Sequence, residues 1–268
     1  MRQARIMTNA PVYYALIQAK FTPVPAMNRY VEDIQDSLRL QGYPMYQETT
    51  VQQFKFEVGT PNEQPTTNIE IVKQWFMTNA ESNSGFILST DSITFQTTEY
   101  TSHVEFINNF MLGLEKVMAH AQPTLITRLG MRYLDAVLPE PGEDIEDYLC
   151  EGLHGVQLDL RQIQSTNEQV FQTEIGPLVS HGVIVTRVHK MHGHLSFPPD
   201  MVPNGVTVKE RFKRTPHQWH CIVDTDHYAE GMIKPSLENV QKQLQSLYEV
   251  VRKSFDQIVS PHALEKWN

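Results

Sequence analysis

Two hydrophobic periods alternate along this chain, one of two residues and one near 3.6, and their order predicts an α+β protein. Residues 12–21 (VYYALIQAKF) are dense in β-branched and aromatic side chains, and Pro23 and Pro25 close the run, which predicts a strand. Asn28 can cap a helix, and Tyr30, Val31, Ile34, Leu38 and Leu40 then fall near helical spacing until Gly42 and Pro44. A block of strands follows at 48–58, 67–78, 85–89 and 92–98. Residues 61–66 form the loop between the first two, and Thr90-Asp91 makes the hairpin link between the last two.

Thr101 or Ser102 caps the next helix, with Glu105 placed for a capping box. Its apolar positions Val104, Ile107, Phe110, Met111, Leu114, Val117 and Met118 repeat at three and four until Pro123. A strand follows at 125–138, then a linker at 139–142, a short helix at 145–150, and strands at 156–163, 169–175, 183–191 and 219–227. Residues 195–214 read as a long irregular excursion, a kind of loop often mobile or functional. Last comes a helix opened by Pro235 and Ser236, with Leu237, Val240, Leu244, Leu247, Val251, Phe255 and Ile258 in one stripe; Pro261 is expected to stop it.

Strands and helices do not alternate strictly, so a doubly wound parallel sheet is excluded. Meandering antiparallel sheets packed against long helices fit the order. The expected division is an N-terminal half, 7–139, and a C-terminal half, 140–268, packed as one unit. Two halves of related build are one way to read this, although no internal repeat supports it. At 268 residues the chain suits one large core.

Composition narrows the function classes. The formal net charge is −9, from 31 acidic and 22 basic residues, the reverse of what a nucleic-acid binder needs to displace counterions. The one basic run, Lys209 to Arg214, is interrupted by Glu210 and Phe212. The two cysteines, Cys150 and Cys221, make no disulfide framework, which suits a reducing cytoplasm. No apolar stretch is long enough for a membrane span, and the N-terminus, MRQARIMTNAP, lacks the apolar segment of a secretory signal.

Three clusters could carry chemistry. On a strand, Arg128, Gly130 and Arg132 share a face, and two guanidinium forks around a glycine could cradle an anion. Asp224 and Asp226 likewise share a face, so the four charges could instead form an internal ion-pair clasp. Eleven histidines include His154, His181, His189, His192 and His194, without HExxH or CxxC spacing. Asp224, Asp226 and His227 could do acid–base work, but on a strand His227 faces away from both aspartates. GxSxG, Walker and GxGxxG patterns are absent. The aromatics Trp75, Phe76, Phe86 and Phe95 suit a core better than a base-stacking platform.

Three stretches carry a resemblance. Asn9-Ala-Pro-Val-Tyr-Tyr-Ala-Leu-Ile, Thr127-Arg-Leu-Gly-Met-Arg-Tyr-Leu-Asp and the ending LYEVVRKSFDQIVSPHALEKW (247–267) resemble a sporadically distributed family of uncharacterised bacterial proteins. Such proteins share an RxGxRY strand, an aspartate-rich late strand and an FxxxI…LxxW tail. Here Tyr14 stands where an acidic residue is usual, and Met131 where leucine is. The resemblance implies no reaction, and its patchy distribution is similar to that of defence or toxin-control modules. The expectation is a cytoplasmic, non-enzymatic interaction or regulatory protein with a protein partner and no cofactor, metal, membrane or nucleic acid. A homo-oligomer remains open. Contact is expected through the 195–214 excursion or an exposed sheet edge. The alternatives are an anion- or nucleotide-binding protein, hydrolytic or not, using Arg128, Arg132, Asp224 and Asp226, and an RNA-processing protein on ferredoxin-like halves.

Overall fold

A computed structural model describes residues 7–57, 66–156, 158–201 and 203–268. Residues 1–6 and nearly all of the 61–66 loop lie outside the described residues. In chain order the elements are β1 (Val12–Phe21), α1 (Val31–Arg39), β2 (Met45–Glu57), β3 (Thr66–Thr78), β4 (Ser84–Leu88), β5 (Ser92–Thr97), α2 (His103–His120) and β6 (Ile126–Val137). There follow β7 (Gln164–Glu174), β8 (His181–Gly193), α3 (Glu210–Lys213), β9 (Gln218–Ile233), α4 (Leu237–Ile258) and α5 (Pro261–Trp267). The strands form one sheet in the order β2-β3-β4-β5-β1-β6-β9-β8-β7, antiparallel at every pairing. A mixed α+β chain with a single antiparallel sheet therefore replaces the several sheets expected. The 139/140 division separates β6 from its neighbour β9, with which it pairs from Ile126 to Val137.

Period-two alternation assigns the two faces. Ala15, Ile17, Ala19, Leu129, Met131 and Tyr133 point to the face covered by α1, α2 and α4, where they meet Ile34, Leu38, Phe110, Leu114, Leu244 and Leu247. The stripe of α4 buries Val240, Leu244, Leu247, Val251, Phe255 and Ile258. Ser102 caps α2 by accepting from Glu105 N–H, whereas the Glu105 carboxylate takes the Thr101 hydroxyl, so half of the expected capping box forms. Asn28 does not cap α1. It lies in a 3-10 turn (Met27–Arg29), and Leu40 is exposed beyond the helix end. Pro261 stops α4 but also starts α5 as its first residue, with Ser260 as cap.

The excursion is a packed strap on the opposite face. Met201 and Phe212 are buried against Tyr13, Tyr14, Leu134, Ala136 and Ile222, with Phe197 partly buried beside them. Fully burying one such side chain contributes about 1.5–3 kcal/mol, enough to hold the segment down. Backbone carbonyls fix its course: Ser196 O accepts from Tyr13, Asn204 O from Gln96 and Thr207 O from Thr98.

The strand expected at 156–163 does not form. Strand β8 pairs β7 from His181 to Met191 and ends two residues later, so an alternating run before Gln164 has no ladder to join. In place of a strand, Val156, Leu158, Leu160 and Ile163 stand in solvent. Strand β9 runs six residues past the expected end, because β6 pairs with it as far as Ile233, while β8 pairs only to Tyr228. No helix among the described residues is long and apolar enough to cross a membrane.

Candidate functional site

The antiparallel register of β6 and β9 places Arg132 opposite Asp226 and Leu134 opposite Asp224. Arg132 reaches diagonally, and its Nε and Nη2 each donate to Asp224 at 2.7 Å. Its outer side donates to both oxygens of Asp200, on the strap, at 2.8 and 3.1 Å. Asp224 is fully buried, and Arg187 Nη1 from β8 approaches it at 3.5 Å. Burial works against the Arg132 charge, and its hydrogen bonds to the two aspartates outweigh that, raising its pKa. Asp200 is lowered in turn by its bonds to Arg132.

Arg128 lies over the Tyr228 ring at 4.0 Å and meets Asp226 at 3.6 Å and Glu230 at 3.7 Å. Burial raises Asp226 against the pull of Arg128. Gly130, between the two arginines, is filled from across the ladder: a Cβ there would lie 2.8 Å from Tyr228 Cβ. The four residues expected together do lie together, and the sequence missed Arg187 and Asp200. On this face the arginines 128, 132 and 187 face the carboxylates of Glu168, Asp200, Asp224, Asp226 and Glu230. Negative charge is in excess, which disfavours a further anion.

His227 is on the helix face. The Leu247 carbonyl can only accept, so His227 Nδ1 carries the proton (2.9 Å) and Nε2 accepts from the Thr173 hydroxyl (2.8 Å). Burial lowers its pKa, which suits this neutral, fully used ring. The acid–base trio is thus split across the sheet. His192, His194 and His217 gather by ring contacts at 4.6 and 5.4 Å, while His189 pairs with Thr166 on β7. Among the described residues no group of three or more His, Cys, Asp or Glu is placed to hold a metal.

In the basic run, Phe212 is buried, Lys209 pairs with Glu99, Lys213 with Glu210, and Arg211 bonds Ala10 O. Phe86 and Phe95 stack 5.0 Å apart in the core beside Tyr43. On the helix face, Asp135 is buried. Burial raises its pKa to about 7, Arg252 of α4 opposes that, and Asp224 adds to it.

One edge of the sheet is β7. Strand β7 pairs with β8 over eleven residues without a bulge, and among the described residues no partner strand lies along its outer side. Its sequence, QSTNEQVFQTE, has no lysine or proline, the residues that commonly blunt an edge. Val170 and Phe171 are exposed, and the segment just before the strand exposes Val156, Leu158, Leu160 and Ile163, from 50% for Phe171 to 78% for Val156. Beneath the edge opens a groove of about 380 Å³. Its apolar walls are Phe171, Ile184 and Val188 from the sheet, and Leu153, Val250 and Ile258 from beneath. The sequence signal was present in the apolar run at 156–163, but the run reads as one more strand of the sheet. No protein-family model and no curated protein matches the chain.

Proposed function

We propose that this chain works by binding another polypeptide and not by catalysis, with the β7 edge and the 156–163 segment as its contact surface. The observation that carries this reading is a long, unblunted edge strand beside six exposed large apolar side chains. Large apolar side chains left open to water beside a sheet edge are a mark of an interaction site, and an edge strand supplies backbone donors and acceptors for strand addition. The ion-pair face argues the other way for a ligand site, since its arginines are already matched and the space above Gly130 is taken. The strap is also the weaker of the two expected contact regions, because its apolar residues are spent on the sheet.

The test is native mass spectrometry of the protein taken gently from its own host, wild type against Val170→Glu. A stoichiometric assembly present for wild type and lost for the variant supports the reading. Assemblies identical for both, or none for either, would count against the edge.

A further inference from the structure

We propose that the occupant of the β7 edge is β7 of a second copy of this chain, paired antiparallel about a two-fold axis through Gln169. This rests on the proposed reading of the edge as a contact surface and names its partner. A two-fold axis perpendicular to the sheet keeps each side chain on its own face, so only registers whose paired numbers sum to an even value are allowed. Centring on Gln169 is the one register that overlaps the whole strand, pairing Gln164 with Glu174, Asn167 with Phe171 and Glu168 with Val170.

Three properties of the strand fit that register. Its charged residues are Glu168 and Glu174, and each meets an uncharged partner, so no like charges stand directly opposite. Glu168 is also neutralised within its own chain by Arg187 at 2.5 Å. Second, Phe171 and Asn167 both line the groove under the edge, so the register carries each copy's half-exposed Phe171 to the other's groove mouth beside Asn167. Each groove already has walls from the sheet and from beneath, and the partner's Phe171 would lie at its open mouth. Third, the exposed apolar segment 156–163 leads directly into β7. Its side chains with Val170 and Phe171 offer on the order of several hundred Å² of apolar surface, the scale of the roughly 800 Å² per partner that stable interfaces bury. An unrelated extended peptide would use the backbone edge as well, but it would not need the strand's charges to be self-compatible.

Light scattering on a sizing column reads the mass of the purified full-length chain. The expected result is twice the chain mass for wild type and the single mass for Val170→Glu, which sets a carboxylate directly opposite the other copy's Glu168, with unchanged circular dichroism because Val170 is exposed. Register is read by disulfide trapping in a Cys150→Ser background, Cys221 being buried. Directly opposed residues in an antiparallel pair have Cα atoms about 4.5–5.5 Å apart, inside the range a disulfide spans. Gln169→Cys should cross-link to itself under mild oxidation, and Gln164→Cys should not. A wild-type monomer, or a dimer that Val170→Glu leaves intact and Gln169→Cys fails to trap, overturns the second copy. If a different protein then co-purifies from the host and is lost in Val170→Glu, the edge remains the contact surface and only its occupant is wrong.

Discussion

Arg132 is the residue whose removal should be felt most. It is the main counter-charge to Asp224, which is fully buried, and Arg187 at 3.5 Å is a poorer substitute. Breaking a buried ion pair from one side costs about 3–5 kcal/mol, so Arg132→Ala should lower the unfolding free energy read from urea titration by that much. Arg132→Lys should recover little, since an ammonium cannot hold two carboxylates along two edges of a planar fork. Asp200→Ala, at an exposed carboxylate, should cost under about 1 kcal/mol. Asp135 gives a pH signature of the opposite kind. Its folded pKa of about 7 lies above the ordinary carboxylate value, so the folded state holds the proton longer. Its contribution is therefore full below about pH 4 and is lost as pH rises towards 7. Asp135→Asn should flatten that slope, gaining roughly 2–4 kcal/mol relative to wild type between pH 4 and pH 8 in denaturant titrations. The charged residues were legible as a cluster because a strand's period of two is rigid. Asp200 was not, because a partner arriving from a loop leaves no period to read.

Among elements, the helices were the most legible and the strap the least. The α4 stripe runs over 22 residues and matches its expected limits, since one apolar face at helical spacing has few other ways to be buried. The run at 156–163 shows the converse. Alternation says which side chains would share a face, but a strand needs a neighbour with free backbone groups, and β8 has none left there. The strap's apolar residues, Leu195, Phe197, Met201, Val206, Val208 and Phe212, follow neither period, so the sequence hid a packed segment as a loop. Helix α2 carries a testable contact of its own. A Cβ at Gly113 would lie 2.2 Å from the Phe86 ring, which is held between Tyr43 and Phe95. Alanine there would gain about 1 kcal/mol of helix propensity but force overpacking worth about 1–3 kcal/mol. Gly113→Ala should therefore lower the melting temperature, whereas Phe86→Leu in the same background should restore part of the loss.

At the scale of the whole molecule, β6 decides how the chain comes apart. It sits between β1 and β9 and carries side chains into both the helix-covered core and the strap-covered one. A fragment of residues 140–268 would lose the ladder of β9 and much of the surface beneath α4. It should be unfolded by circular dichroism, and the intact chain should melt in one transition seen alike by tryptophan fluorescence and far-ultraviolet signal. Helix content, antiparallel pairing and element order could be read from the chain, because they rest on periods within 10–20 residues. The merging of strands into one sheet could not, since pairing between distant strands leaves no mark within either of them.

The strand order also sets a timetable for a chain emerging from the ribosome. The meander from β2 to β5 and the hairpins of β7, β8 and β9 join neighbours in sequence, but β1 waits more than a hundred residues for β6, and β6 waits about ninety more for β9. Contacts of such long sequence separation slow folding, and until Ile233 is made both faces of β6 lack their neighbour on one side. Nascent chains paused before that point should be the ones that chaperones hold and proteases cut, and full release should end their vulnerability within one cooperative step.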